Sequence, residues 1–219
     1  NGLWHVLLLP GGTYLTGSLL GGSDEEAQSV PVPADYDGDG TTDPALFWRG
    51  YWAILYSESG SVSIHPPLAA GGQPVVGDWD GDGRIDRGVY AGGVWTLHSS
   101  FSGEVTPQSF GGSGPDILPS PADFDGDGMA DLAVYDRGRN EWRWRESRTG
   151  IVRSRQFGQG GLVALPGYYD RDASADWAQA RLSDNGDFIL WEVKRSSDTN
   201  FPFLGQSYQQ STGHWRVSW

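Results

Sequence analysis

The residues most able to do chemistry in this chain are aspartates, which recur in three similar strings of nine residues. Twelve of the 21 Asp residues belong to these strings, and each string has Asp at positions 1, 3, 5 and 9 and Gly at positions 4 and 6. The strings span residues 35–43, 78–86 and 123–131, at spacings of 43 and 45 residues. Carboxylates at alternate positions of a tight loop point at one centre, and carboxylate oxygens are ligands that Ca²⁺ prefers. The pattern predicts about three calcium sites.

Each loop is expected to supply its ion with ligands from five positions. Gly at positions 4 and 6 permits backbone conformations that a Cβ forbids. The side chain at position 7 varies, which fits a ligand that offers only its carbonyl, and Asp at position 9 closes the shell. We expect the ions to be structural and to stabilise the loops by mass action. The predicted ligands are Asp35, Asp37, Asp39, Thr41 and Asp43; Asp78, Asp80, Asp82, Arg84 and Asp86; and Asp123, Asp125, Asp127, Met129 and Asp131.

A degenerate fourth string follows after another 45 residues. It keeps Asp170, Asp172 and Asp176 at positions 3, 5 and 9, but Tyr168 stands at position 1 and neither glycine is present. We expect this loop to be weak or empty as a metal site, with Arg171 supplying positive charge in place of an ion.

Three other interpretations of the strings are open. An EF-hand starts in the same way but needs Glu at position 12 and flanking helices, whereas position 12 here is Leu46, Val89 and Val134, within strand-like runs. A carboxylate pair for acid–base catalysis occurs once rather than in three equivalent copies. Solvated acidic turns without metal leave four aspartates repelling one another.

The strings also mark a longer repeat. Each is followed by an apolar run, an aromatic-led strand, a Ser/Gly turn and a further strand, and no segment shows a sustained helical period. Four strands in about 45 residues are typical of a β-propeller blade. We therefore predict an all-β, five-bladed propeller in a single domain of residues 1–219. The predicted blades are about 31–72, 73–114, 115–160 and 161–205, with 1–30 and 206–219 sharing the closing blade.

Composition excludes several classes of function. The 15 Lys and Arg against 28 Asp and Glu give a net charge of −13, which argues against a nucleic-acid partner. No apolar stretch is long enough to insert into a membrane, and the absence of Cys excludes disulfides, thiolate metal sites and cysteine catalysis. The chain starts at Asn1 without a signal-peptide pattern, so we interpret it as a mature protein or an excised fragment.

The aromatic residues have two interpretations. Trp52, Trp95 and Trp142 occupy equivalent strand positions, which favours packing between blades. The aromatic residue at position 2 of each string is expected to pack there too, and a ring of sugar-stacking platforms is the alternative. These residues are Tyr36, Trp79, Phe124 and Tyr169.

Seven of the 15 basic residues fall between Arg137 and Arg155 and break the repeat. If residues 148–150 form a three-residue hairpin loop, strand alternation places four arginines on one face. We interpret this as an anion-binding or partner-binding patch, and a solvated edge neutralised by nearby acids is the alternative. The patch consists of Arg143, Arg145, Arg153 and Arg155.

One segment carries a family resemblance. Residues 121–135, with the Phe-Gly-Gly of 110–112 before them, resemble the FG-GAP/VCBS repeat of integrin α-subunit propellers and secreted bacterial proteins. The resemblance covers residues from about 30 to 180 and implies propeller blades with calcium between the first and second strands. It also implies an extracellular or cell-surface setting and a role in adhesion. The degenerate fourth string departs from the family, as does a number of blades below the seven of integrins.

These observations predict a non-enzymatic recognition or adhesion module that is secreted and lectin-like, with a glycan or protein ligand. The four His residues share no ligand spacing, and no catalytic Ser/His/Asp arrangement is recognisable. The alternatives are a propeller-fold polysaccharide lyase or glycosidase, and a purely structural domain of a larger secreted protein.

Overall fold

The computed structural model describes residues 3–8, 13–18, 29–160, 163–182 and 189–197, and within them it consists of seventeen β-strands. The first six are β1 (Leu3–Leu8), β2 (Thr13–Ser18), β3 (Val30–Pro31), β4 (Ala45–Trp48), β5 (Tyr51–Leu55) and β6 (Val62–His65). The next four are β7 (Gln73–Gly77), β8 (Asp86–Ala91), β9 (Val94–His98) and β10 (Val105–Ser109). The remainder are β11 (Ile117–Pro119), β12 (Leu132–Asp136), β13 (Glu141–Arg145), β14 (Val152–Gln156), β15 (Val163–Ala164), β16 (Trp177–Leu182) and β17 (Ile189–Lys194).

The strands form antiparallel sheets of consecutive strands, as in propeller blades. Blade 1 is β3–β6, blade 2 is β7–β10, blade 3 is β11–β14 and blade 4 is β15–β17, while β1 and β2 form a separate hairpin. This all-β, propeller-like architecture confirms the predicted fold class, and no helix in the described ranges could span a membrane.

The predicted number of blades differs from the structure. The described residues form four blades, not five, and blade 4 shows three strands. The segment 206–219, which was expected to help close the ring, lies outside the described residues. The discrepancy arises because the closing blade was inferred from short terminal segments that carry no Asp string.

The hydrophobic core lies between successive blades. Side chains alternate along each strand, so that in β13 Trp142 and Trp144 are buried while their neighbours are partly exposed. Val89 of blade 2 joins the core cluster of blade 1, and Trp177 of blade 4 joins that of blade 3. Trp52, Trp95 and Trp142 are all 0% exposed, which confirms their predicted role in packing.

Candidate metal centres

Each Asp string connects the first and second strands of a blade. The backbone repeats closely, since the glycines at position 4 all have φ +78° and those at position 6 have φ between +85° and +89°. A residue with a Cβ is strained at such angles. The two glycines of each loop are therefore required by its shape, and their loss in the fourth string marks a real departure from it.

The aspartate at position 1 holds these glycines in place. Asp35 accepts hydrogen bonds from the backbone N–H of Gly38 at 2.7 Å and of Gly40 at 2.9 Å, one on each carboxylate oxygen. Asp78 and Asp123 make the same pair of contacts. Each oxygen keeps a further lone pair that can face a cation. Position 1 therefore shapes the loop as well as contributing charge.

Every loop brings three carboxylate oxygens within 4.8 Å of one another. Two ligands at 2.3–2.6 Å from a common Ca²⁺ ion can be no more than about 5 Å apart, so this spacing fits one ion per cluster. The donors are all carboxylate oxygens, which suits a hard cation. The four clusters are Asp35, Asp37 and Asp39; Asp78, Asp80 and Asp86; Asp123, Asp125 and Asp127; and Asp170, Asp172 and Asp176.

Burial and mutual repulsion show why these clusters need positive charge. Burial raises the pKa of Asp37, Asp86 and Asp125 above the usual range, and neighbouring aspartates raise it further. Burial raises the pKa of Asp131 to about 7, again with contributions from aspartates of its own loop. A bound divalent cation would favour the ionised form of each group.

The aspartate at position 9 has a role that the sequence analysis missed. Asp43 is 0% exposed and accepts the N–H of Tyr36 at 3.0 Å on one oxygen and the N–H of Ser57 at 2.7 Å on the other. Asp86, Asp131 and Asp176 make the same two contacts in the other three blades. This residue therefore ties the loop to the segment that follows the third strand of its blade, which in blades 1 to 3 is a hairpin and is called the hairpin below.

That hairpin contributes a serine at the same place in every blade. Beyond the backbone contact, the Ser100 hydroxyl donates to Asp82 at 3.1 Å, the Ser147 hydroxyl donates to Asp127 at 3.0 Å, and Ser196 donates to Asp172 at 2.7 Å. The only sequence signal was a serine 14 to 20 residues after position 9. That signal is easily overlooked, because the hairpins differ in length.

Position 7 packs on the loop of the preceding blade. The N–H of Thr41, Arg84 and Met129 donates to the aspartate two residues earlier at 2.6–2.9 Å. The side chains of Arg84 and Met129 lie against the position-4 glycines of the preceding loops, Gly38 and Gly81. Their carbonyls as calcium ligands stay a prediction.

Backbone hydrogen bonds join the loops of neighbouring blades. Ile85 N–H donates to the Asp35 carbonyl at 2.8 Å, and Ala130 N–H donates to the Asp78 carbonyl at 2.7 Å. The same bond joins Ala175 to Asp123 at 2.6 Å. All four loops therefore lie side by side, and ordering one loop by a cation restrains its neighbour.

The fourth loop keeps more of the site than expected. Its three aspartates are clustered as in the other loops, and the hydroxyl of Ser197 donates to Asp170 at 2.8 Å. The pKa of Asp170 is lowered by the N–H of Asp172, by Ser197 and by the charge of Arg195. Tyr168 at position 1 is exposed and offers no carboxylate. That this loop binds calcium poorly stays a prediction.

Three of the four aromatic residues at position 2 pack against their neighbours, whereas Tyr169 is 46% exposed. Tyr36 and Phe124 are 7% and 6% exposed, and Phe124 stacks on Trp177 with ring centroids 5.6 Å apart. Trp79 lies half-buried against Trp95. The alternative of a ring of sugar-stacking platforms is therefore wrong for Tyr36 and Phe124.

The four-arginine face is also wrong. The turn has four residues rather than three, so β13 and β14 pair Arg143 with Ser154 and Arg145 with Val152. Arg143 and Arg145 face blade 2, where they donate to the Gly111 carbonyl and the Gln108 side chain. Arg153 and Arg155 lie on the opposite face. Arg153 pairs with Glu146, and Arg155 lies 4.0 Å from the ring centroid of Trp177. The one-residue shift separates charges that would otherwise repel.

Comparison with known proteins places the chain in no family: no family model matches it, and no curated protein matches it.

Proposed function

We propose that this protein is a calcium-binding β-propeller of the FG-GAP/VCBS type that acts as an extracellular recognition module. The observation that carries the proposal is the convergence of three carboxylates in each of four blades, with the same glycine geometry in the first three loops. The proposed ligands are the aspartates of the three complete strings together with the position-7 carbonyls.

Calcium would supply the positive charge that orders each loop, while the chain positions the ligands. The position-1 carboxylate sets the turn, and the buried position-9 carboxylate ties it to the neighbouring hairpin. Three ions would bring the net charge from −13 to about −7. Several ligands are partly exposed, as in Asp37 and Asp39. Exposed loops of this kind suit the high calcium concentration outside cells, where extracellular modules bind with dissociation constants of about 10⁻⁴–10⁻³ M.

The end of the molecule that carries the loops is the proposed ligand-binding surface, and carbohydrate is the proposed ligand class. Phe101 lies at this end on the hairpin of blade 2, is 81% exposed, and donates its N–H to Asp80 at 3.3 Å. An exposed aromatic ring beside calcium-ordered carboxylates offers a sugar both an apolar face and hydrogen-bond acceptors.

The test is a glycan array probed with the purified chain in calcium and again in excess chelator. We expect calcium-dependent binding without turnover of the bound glycans. Phe101→Ser should reduce glycan binding while leaving calcium-dependent thermal stability unchanged. A polar residue is tolerated at this position, because Glu58 and Arg148 occupy it in the hairpins of blades 1 and 3. Release of shortened or unsaturated products would instead support the lyase or glycosidase alternative. Calcium-independent stability would overturn the metal assignment.

A further inference from the structure

At the interface between blade 1 and blade 2, here called the groove, lies a cluster of one arginine and two histidine side chains that can donate hydrogen bonds. Arg87 follows the position-9 aspartate of blade 2 and is only 7% exposed. The equivalent residues of the other blades are Pro44, Leu132 and Trp177, all apolar. A guanidinium at this place is therefore a departure from the repeat and is not explained by packing.

Strand alternation directs Arg87 toward blade 1. Val89, two residues further along β8, packs in the blade 1 core, so Arg87 faces the same way. His98 stands directly opposite Arg87 on β9 and shares its face. From the other side, His65 pairs with Trp52, whose ring is part of the same core cluster. Arg87, His65 and His98 thus converge on one groove from two blades.

Two of these three groups have a buried nitrogen without a hydrogen-bond partner. Nη1 of Arg87 and Nε2 of His65 are buried and have no hydrogen-bond partner in the described part of the chain. No ion pair is formed by Arg87 with any described carboxylate. Asp86, the adjacent carboxylate, accepts the N–H groups of Trp79 and Ser100. Tyr56 and then Tyr36 are the hydroxyl groups that act most on the charge of Arg87, and Tyr36 donates to the Val32 carbonyl. Leaving a buried charge without a counter-charge is costly.

The electrostatics of the two histidines agree with a missing negative charge. The pKa of His65 is lowered to about 4, first by burial and then by the charge of Arg87 and by His98. The pKa of His98 is lowered by burial and by the charge of Arg87, against the opposing effects of a backbone hydrogen bond and of the charge of Asp80. Asp86 and Asp80 oppose this positive charge through space, but no described carboxylate forms an ion pair with Arg87.

We propose that this groove binds a small monovalent anion, of the size of chloride or acetate, at Arg87 with His65 and His98 beside it. A guanidinium and imidazole N–H groups are suitable donors for such an anion, and because Nη1 is buried, neighbouring side chains must shift to admit it. The anion would join the two blades by bonding to both, and would remove the cost of the unpaired guanidinium. The site adjoins the calcium loop of blade 2 at Asp86 and does not rest on the proposed glycan-binding function.

The experiment measures thermal unfolding at constant ionic strength and constant calcium, with methanesulfonate replaced stepwise by chloride or acetate. At about ten times the dissociation constant, mass action should raise the melting temperature of the wild-type protein by about 3–6 °C. Arg87→Leu introduces the residue type that blade 3 has at this place, Leu132. It should abolish this shift and should melt higher than wild type in methanesulfonate, since it removes the unpaired charge. Arg49→Asn removes an exposed arginine at φ +50°, a conformation that Asn tolerates, and should keep the shift.

Two further measurements test the same proposal if Arg87→Leu fails to fold. His65→Gln introduces the residue type that blade 2 has at the same place, Gln108, and it should weaken the anion-dependent shift by several fold. Crystals grown in calcium and soaked in bromide should show an anomalous peak beside Arg87. An equal shift in wild type and both groove variants, or the absence of that peak, would overturn the proposal.

Discussion

The hydrogen bonds of Asp43 lead to a prediction that separates the two roles of the position-9 aspartate. Replacing Asp43 by Ala removes both acceptors for the N–H groups of Tyr36 and Ser57, at 3.0 and 2.7 Å, in a place where the carboxylate is 0% exposed. Each buried N–H left without a partner costs about 1–3 kcal/mol. The free energy of unfolding should therefore fall by about 2–6 kcal/mol even when no calcium is present.

The assay is urea or thermal unfolding followed by tryptophan fluorescence in excess chelator. For a chain of this length the loss corresponds to a fall in melting temperature of about 5–20 °C. Asp43→Asn keeps one acceptor oxygen, and we expect about half of the effect. The graded order of wild type, Asn and Ala is the signature of two separate hydrogen bonds.

Asp37→Ala is the matched control within the same loop. Asp37 accepts only the N–H of Asp39, at 3.2 Å and in an exposed part of the loop. Its loss should leave stability in chelator within about 1 kcal/mol of wild type and should reduce the stabilisation by calcium. If Asp43→Ala were neutral in chelator and harmful only with calcium, position 9 would be a metal ligand and nothing more, and the structural reasoning would be refuted.

Three further predictions concern metal, packing and pH. Chelation should lower the melting temperature of the wild-type protein, and calorimetry should count about three calcium ions per chain. Gly77→Ala should cost about 1–3 kcal/mol in denaturant unfolding, because the added Cβ lies 2.6 Å from the Cβ of Ala130 and 2.9 Å from Trp79. His65→Gln should reduce the loss of folding stability at acid pH. The folded pKa of about 4 lies below the unfolded value of 6.5, so wild type loses stability relative to the variant as pH falls from 6.5 to 4, by about 1–2 kcal/mol after allowance for partial exposure.

A specific experimental result would contradict each of these predictions. A single calcium ion per chain would show that the loops are not equivalent. Gly138→Ala is the packing control, since its Cβ would meet nothing closer than 3.4 Å, and equal losses for both glycine variants would refute the overpacking argument. Parallel pH profiles of wild type and His65→Gln between pH 4 and 6.5 would show that His65 titrates normally.

Much of the site could be predicted from the sequence because its chemistry is local. Asp at alternate positions and Gly at positions 4 and 6 determine the loop through contacts that span at most five residues, such as Asp35 with Gly38 and Gly40. The strand period and the repeat length predicted the blades, and the repeated tryptophans predicted the core. In each case the information lies within one repeat.

Contacts between segments distant in the chain were beyond that reasoning. The hairpin serine and the position-9 aspartate are brought together from 14 residues apart in blade 1 and from 20 residues apart in blade 4. The four-arginine face was wrong because the register of β13 and β14 depends on the length of one turn, and a shift of a single residue moves every side chain to the other face. The count of blades was inferred from terminal segments without a repeat signal.

The sequence by itself determined the acidic loops, the antiparallel blades and the aromatic core, because each depends on residue types repeated at short, regular spacing. Only the tertiary structure decided which carboxylate ties the loop to its hairpin, how neighbouring loops are joined, and that Arg87 meets His65 across two blades. These features depend on how segments distant in the sequence pack within a blade and between blades, and that packing is decided by the whole chain rather than by local residue spacing.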